Sequence, residues 1–316
     1  MEARPRRSVL AVPGSSPRML EKARGIAADE VFLDLEDAVA PSAKEAARAM
    51  VVSALGADGW GTQLRAVRVN GWSTPWTRED LVAVLEGAGD RVEAVVLPKV
   101  HRAEDVRRAD EALTELEHRL GLTPGGIVLE VQIESARGLV NAESIAAASP
   151  RVAALVLGPA DLIADLGMRT RGPGEQPSGY DGEAFHYPLM RILVAARAAD
   201  VQAIDGPYLR VRDLDGLRRV AGRSAALGYD GTWCVHPDQV GVADEVFTPT
   251  QEDFEHADLV LQAYAWHTSA EGGSRGAVML GQEMLDEASR AMALRVFARG
   301  RAAGLRSAAR FEPLSD

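Results

Sequence analysis

Short apolar runs in this 316-residue chain lead, one after another, into residues that can carry charge or hold a metal ion. The run at 31–35 contains Asp34 and is followed by Glu36 and Asp37. The run at 66–69 contains Arg68 and precedes Asn70, and the run at 94–97 ends in Pro98-Lys99. Gln132 and Glu134 close the run at 127–133, Gly158-Pro159-Ala160-Asp161 follows 152–157, and Asp205-Gly206-Pro207 follows 201–204. The run at 8–12 opens into Pro13-Gly14-Ser15-Ser16, and the run at 229–234 ends with Trp233 through His236. A charge at the end of a buried run is costly unless it is paired or bound to a metal. The concentration at one end of the runs, with none comparable at the other, therefore points to catalysis.

Glu134 and Asp161 are the metal-ligand candidates. Two hard oxygen ligands suit Mg²⁺, which keeps several waters or substrate oxygens in its shell; the competing reading is that each caps a loop or pairs with an arginine. Histidine is scarce and lacks zinc-type spacing. Arg68, in a strand where a solvated arginine is out of place, is suited to bind a carboxylate or a developing enolate oxygen, or to form a buried ion pair with Glu36 or Asp37. Lys99, if desolvated, is a Schiff-base candidate, or else an ordinary loop residue. Arg18 and Lys22 crowd the segment after the Gly14–Ser16 turn, where they oppose the helix dipole and ask for an anionic partner, either a phosphate-bearing ligand or Glu21.

The elements that must position these groups alternate regularly. Helical periodicity is expected at 17–28, 43–55, 77–87, 103–120, 136–148, 184–199 and 211–227, between runs that are apolar throughout, as parallel strands covered on both faces require. Ser16-Pro17 reads as a helix start, and Ser42 with Glu45 as a capping box. Eight such repeats over about 230 residues predict an α/β fold, a (β/α)8 TIM barrel, at 1–248. A doubly wound sheet competes, but no Gly-x-Gly-x-x-Gly follows the first run. Residues 169–182, rich in Gly and Pro, read as a lid or a surface insertion. From 249 to 316 the pattern changes to helices only, 251–270 and 283–304, a tail expected to pack on a neighbouring subunit.

Composition narrows the class. The chain is 47% hydrophobic and carries a formal charge of −11, so no nucleic-acid or membrane partner is expected. The basic start Arg4–Arg7 is followed by too few apolar residues for a signal peptide or membrane span. One cysteine, Cys234, excludes an internal disulfide. A cytoplasmic enzyme is the expectation.

Taken in order, several stretches resemble the citrate lyase beta-subunit-like family of CoA-ester lyases, which includes malyl-CoA and citramalyl-CoA lyases. They are Arg7-Ser-Val-Leu-Ala-Val-Pro-Gly14, Leu33-Asp-Leu-Glu-Asp-Ala-Val39, Arg68-Val-Asn-Gly71, Leu97-Pro-Lys-Val100, Gln132-Ile-Glu-Ser-Ala-Arg-Gly-Leu139, Leu157-Gly-Pro-Ala-Asp-Leu162, Asp205-Gly-Pro-Tyr208 and Trp233-Cys-Val-His-Pro237. The resemblance implies a TIM barrel, Mg²⁺ held by Glu134 and Asp161, a CoA-thioester and a small 2-oxo acid as substrates, and a homo-oligomer, with a trimer favoured. Arg68 falls on the family's substrate-contacting arginine, and Glu36 and Asp37 on the acidic pair near the metal. Pro13, Gly14, Ser15, Arg18, Lys22 and Pro159 complete the expected substrate and CoA contacts. One departure concerns a tail aspartate that relatives extend into a neighbouring subunit's site. Here the stretch is Leu280-Gly-Gln-Glu-Met-Leu-Asp286: Gly281 or Gln282 stands in place of the first aspartate, Asp286 matches the last, and Glu283 is a stand-in. The expected reaction is reversible carbon–carbon cleavage of a 3-hydroxy-3-carboxyacyl-CoA. The alternatives are a citrate lyase subunit, a malyl-CoA thioesterase, a metal-dependent aldolase on free 2-oxo acids, and a degenerate barrel that only binds.

Overall fold

The computed structural model describes residues 4–313 apart from Arg171, Pro173, Gly174 and Gln176. Part of the expected lid or insertion at 169–182 thus lies outside the described residues, and its described residues form neither helix nor strand. Eight parallel strands, β1 (Ser8–Pro13), β2 (Glu30–Asp34), β3 (Leu64–Arg68), β4 (Ala94–Leu97), β5 (Val128–Ile133), β6 (Val152–Leu157), β7 (Gln202–Asp205) and β8 (Gly231–Cys234), close on themselves in sequence order. Around them run α1 (Pro17–Ala23), α2 (Lys44–Gly56), α3 (Thr77–Ala88), α4 (Ala103–Leu120), α5 (Ala136–Val140), α6 (Ala142–Ala146), α7 (Pro159–Leu166), α8 (His186–Ala198), α9 (Leu214–Leu227) and α10 (Pro237–Phe247). This is a (β/α)8 TIM barrel. Among the described residues, no helix is long and apolar enough to cross a membrane.

Strand parity divides the core in two. Val9, Phe32, Leu64, Ala66, Ala94, Val96, Ala154, Val156, Ile204 and Trp233 fill the lumen, while Val31, Leu33, Val67, Leu129, Val131 and Ile133 face the helices. Successive side chains point to opposite faces of a strand, so Glu30 and Asp34 share the inward face with Phe32, and Arg68 shares it with Leu64 and Ala66. Parity continued past β5 also aims Glu134 inward, in line with Glu130 and Gln132. The sequence alone gives a period of two; the closed sheet converts it into a lumen.

Three expectations are corrected. Ser42 lies within a 3₁₀ turn, and α2 starts after Ala43 without a side-chain cap, so the Ser42–Glu45 box does not form. The stretch 136–148 is two short helices rather than one, and α7 and α10 were not anticipated. The amino end of the barrel is not free of charge. Arg6 donates from Nε to Glu30 at 2.8 Å and Glu130 at 2.6 Å, and from Nη1 to Gln202 at 2.5 Å. All of this lies beneath the lumen, where two carboxylates meet one guanidinium and an amide as a structural floor. Arg6 precedes β1 and Glu130 is mid-strand, so reading strand ends alone overlooked them.

Residues 6–247 form one compact unit, and the described residues from Thr248 onward, with Arg4 and Pro5, form another. The second unit is not purely helical. Between α11 (Gln251–Thr268) and α12 (Glu287–Ala302) lies an antiparallel hairpin, β9 (Val278–Leu280) and β10 (Glu283–Leu285), turning at Gly281 with φ +60°. Phe254 of α11 stacks on Phe297 of α12 at 5.0 Å, and a Cβ at Gly300 would lie 2.2 Å from the Phe254 ring. Asp286 is the α12 cap, accepting from Ser289 N at 3.0 Å, and exposed Glu283 pairs with His256 at 3.1 Å.

Candidate active site

At the carboxyl end of the barrel, Arg68 is held in one orientation from several sides. Register places it beside Asp34, to which it donates from Nε at 2.8 Å and from Nη2 at 2.6 Å, while Nη1 lies 3.2 Å from Glu36. Its guanidinium sits 5.6 Å from the centroid of the Phe32 ring and 5.5 Å from that of Trp233. The two-pronged contact to Asp34 fixes the plane as well as the position of the charge. Of the two partners the sequence offered, only Glu36 is in salt-bridge contact with Arg68; Asp34 is the principal one, and Asp37 turns instead to Lys99.

Lys99 is a left-handed residue, φ +55°, a conformation that costs free energy in a non-glycine residue and persists only where the surroundings enforce it. The twist directs its amide to Glu134 Oε1 at 2.5 Å, while its ammonium bonds Glu36 and lies 3.0 Å from Asp37. Burial alone would depress the Lys99 ammonium, but Glu36 and then Asp37 outweigh it and raise its pKa. A lysine held this firmly as a cation is no Schiff-base nucleophile at neutral pH, which corrects that option. Glu36 is pushed up by burial against the pull of Arg68. Asp37 also feels burial, but the Lys99 hydrogen bond prevails and lowers it.

Glu134 is buried, with Oε2 accepting from Gln132 Nε2 at 2.6 Å. Burial, and then the charge of Asp161, push its carboxyl well above the usual range. Asp161 stands in the first turn of α7, partly exposed, with no hydrogen bond from any described residue. Between them Gly158 leaves a gap that no other residue can: a Cβ there would lie 2.4 Å from Glu134 Cβ and 2.5 Å from its Oε2. Among the described residues, no three His, Cys, Asp or Glu side chains converge on one point. Two carboxylates whose charges repel and which form no salt bridge with a described residue nevertheless fit a divalent ion completed by water and substrate oxygens.

Other candidates are placed as follows. Gly14 lies where a Cβ would sit 2.6 Å from the Asp34 carbonyl, so Pro13-Gly14 packs directly on the end of β2, with Ser15 half-buried beside it. Arg18 and Lys22 are exposed on α1, and neither pairs with Glu21 or any other described residue. Pro159 is buried as the first residue of α7, against Gly206, whose Cβ would meet its Cδ at 2.2 Å.

Asp205 does not belong to the mouth. It shares parity with outward-facing Ala203 and lines a small pocket with Phe185, Leu189, Tyr208 and Arg223. Burial pushes its carboxyl up to about 6 from 3.8. A carboxylate with a raised folded-state pKa ionises more readily unfolded, so its cost is absent below about pH 4 and complete above about pH 6, and it amounts to roughly 3 kcal/mol. Asp205→Asn is therefore expected to raise the melting temperature at pH 8, with the gain disappearing as the pH approaches 4. An unchanged difference between the two chains across that range would contradict this.

The sequence reading missed three supports of the site: Asp34 as the clamp of Arg68, Gln132 against Glu134, and Lys44, treated below. Parity with Phe32 marks Asp34 in retrospect, since only an inward Asp34 can meet an inward Arg68. Nothing in the sequence marks Lys44, because its partners are mostly backbone carbonyls.

Residues 7–237 match the model of the HpcH/HpaI aldolase/citrate lyase family. The chain is similar, at 40% identity over 91% of its length and 92% of the relative's, to the L-malyl-CoA/beta-methylmalyl-CoA lyase of Cereibacter sphaeroides. It is also 40% identical, over 83% of its length and 84% of the relative's, to a (3S)-malyl-CoA thioesterase from the same species. Among solved structures, it resembles CitE of Mycobacterium tuberculosis in complex with magnesium, acetoacetate and coenzyme A. There the TM-score is 0.71 and the identity 32%, covering 96% of this chain and 99% of that one.

Proposed function

The chain belongs to the HpcH/HpaI aldolase/citrate lyase family, and from that premise we propose that it is a Mg²⁺-dependent CoA-ester lyase. The substrate we assign is a 3-hydroxy-3-carboxyacyl-CoA of the malyl-CoA, methylmalyl-CoA or citramalyl-CoA type, cleaved reversibly to an acyl-CoA and a 2-oxo acid. The observation that carries this reading is the presence at one barrel mouth of a clamped arginine and of two carboxylates, Glu134 and Asp161, that form no salt bridge with a described residue.

In the forward direction the substrate hydroxyl loses its proton, the carbon–carbon bond breaks, and its electron pair passes into the thioester as an enolate that is then protonated. Glu134 and Asp161 would hold the metal, which when bound acts as a Lewis acid toward substrate oxygens. Arg68 supplies a preorganised guanidinium to the carboxylate or to the charge that develops. Because Asp34 and Glu36 already fix it, little reorganisation is needed at the moment of reaction. Glu36 and Asp37 work as the anionic wall that keeps Lys99, and through its backbone amide Glu134, in place. Arg18 and Lys22, unpaired and exposed beyond Pro13-Gly14-Ser15, would meet the phosphates of CoA; Pro159 would border the acyl portion.

The tail is assigned to a neighbouring subunit of a homo-oligomer, with a trimer favoured; the exposed Met279, Met284, Met292 and Leu294 support an apolar contact there. A cytoplasmic location completes the reading, consistent with a single, buried, unpaired cysteine. The alternative of a degenerate barrel that binds without turnover is the one favoured by a specific feature, the absence of aspartate at Gly281 and Gln282.

Incubation with malyl-, methylmalyl-, citramalyl- and citryl-CoA plus Mg²⁺ tests the proposal. The expected result is acetyl-CoA or propionyl-CoA with a 2-oxo acid in equal amounts, lost on addition of EDTA. Free malate with CoA would replace the lyase reading by thioester hydrolysis, and no turnover on the panel would remove both.

A further inference from the structure

The segment that carries Glu36 is irregular chain after β2, yet its carbonyls are tied down unusually well. Lys44, at the start of α2, is only 5% exposed. Its ammonium donates to Leu35 O at 2.8 Å, Glu36 O at 2.9 Å and Asn70 Oδ1 at 2.7 Å. An ammonium has three hydrogens, so none is left for substrate or for nucleophilic chemistry. Asn70 continues the tie: its Nδ2 donates to Leu35 O at 2.9 Å and to Asp80 Oδ2 at 2.6 Å, and Arg48 Nε holds the other Asp80 oxygen at 2.7 Å. The network thus spans α2, the end of β3 and α3 and converges on residues 35 and 36, whose side-chain continuation is Glu36 on Arg68 and Lys99.

We propose that Lys44 is a positioning residue for the reaction, fastening the Leu35–Glu36 backbone so that Glu36 holds Arg68 and Lys99 in their working orientation. Its ammonium touches no side chain at the mouth and acts through the Glu36 backbone. A neutral donor would satisfy the carbonyls. The cation in addition faces four acidic groups, Glu36, Asp80, Asp34 and Asp37, matched by Arg68, Lys99, Arg48 and Lys44 itself, so the cluster stays near neutrality. Burial of an ion is tolerated only with such pairing and full hydrogen bonding.

The inference rests on the lyase reading, and its test separates the two. Wild type, Lys44→Met and Lys44→Arg are compared on whichever thioester the wild type turns over, by cleavage or by hydrolysis. Lys44→Met is expected to lose at least about tenfold in kcat, with KM for the thioester and for Mg²⁺ within about threefold, because ground-state contacts survive while the charge that meets the transition state is displaced. Lys44→Arg, which keeps a cation and donors, recovers at least about threefold over Lys44→Met. In hydrogen exchange, the peptide covering residues 35–39 opens at least about tenfold faster in Lys44→Met, a readout that stands even if the wild type turns over nothing on the panel. A folded Lys44→Met with kcat within twofold of wild type, or with the loss wholly in KM, overturns the proposal, as does unchanged exchange of that peptide. If Lys44→Met does not fold, Asn70→Ser takes its place. It removes the third acceptor and is expected to lower kcat about three- to tenfold; full kcat in that variant overturns the proposal too.

Discussion

Glu134→Gln is expected to abolish turnover to within a hundredth to a thousandth of wild type, a loss of about 3–4 kcal/mol in transition-state stabilisation. The substitution is close to isosteric and can be absorbed without strain. Gln132 now gives Nε2 to Glu134 and keeps Oε1 buried and without a partner; a flip of its amide would offer Oε1 to the new Nε2. The Lys99 amide retains an oxygen to donate to. Burial and Asp161 make the ionised Glu134 costly, so without metal the variant is expected to melt at or above the wild-type temperature at pH 8. A Mg²⁺-induced rise in melting temperature, expected in wild type through mass action, is expected to vanish. Activity and thermal shift are read on the same preparation, so a folding defect cannot be mistaken for the loss of a ligand. Full activity, or an undiminished Mg²⁺ shift, would show that Glu134 is not the metal ligand.

The barrel was legible because parallel strands covered on both faces announce themselves as continuous apolar runs; observed strand bounds fall within a residue or two of the runs. What failed was the inference that a polar residue at a strand end belongs to the site. Asp205 ends β7 as Asp34 ends β2, yet one faces the helices and the other the lumen. The difference is parity relative to neighbours, visible only once the sheet has closed. Glu30 and Glu130 make the converse point: inward carboxylates at the amino end are spent on Arg6. The anchoring role of Lys44 and the left-handed backbone of Lys99 were invisible for another reason. Their positions are set largely through main-chain atoms, and main-chain geometry leaves no side-chain signature. The hairpin at 278–285 was hidden by its length: three-residue strands are too short to establish a period.

Arg68→Lys and Arg68→Met separate what the guanidinium does for catalysis from what it does for the fold. Lysine keeps the charge but cannot span both oxygens of Asp34 while also reaching Glu36, since it offers a point donor in place of a planar fork. Arg68→Lys is therefore expected to fold and to lose about a hundredfold or more in kcat/KM, in the range found for removing one preorganised donor. Arg68→Met strips the cation from Asp34, which is 2% exposed. Leaving a buried carboxylate unpaired costs about 3–5 kcal/mol, large against the stability of an ordinary domain. The informative protein is then the double variant Asp34→Asn/Arg68→Met. Here the orphaned charge is gone, the amide oxygen introduced in place of the carboxylate can still accept from the Glu36 N–H that Asp34 now holds at 2.8 Å, and Glu36 keeps Lys99. The introduced thioether side chain still packs on Phe32 and Trp233, the rings that now flank the guanidinium. The double variant is expected to regain most of the melting temperature lost in Arg68→Met and none of the activity. Recovery of activity along with stability would mean that Arg68 serves only to neutralise Asp34, and the catalytic role would pass to another group at the mouth.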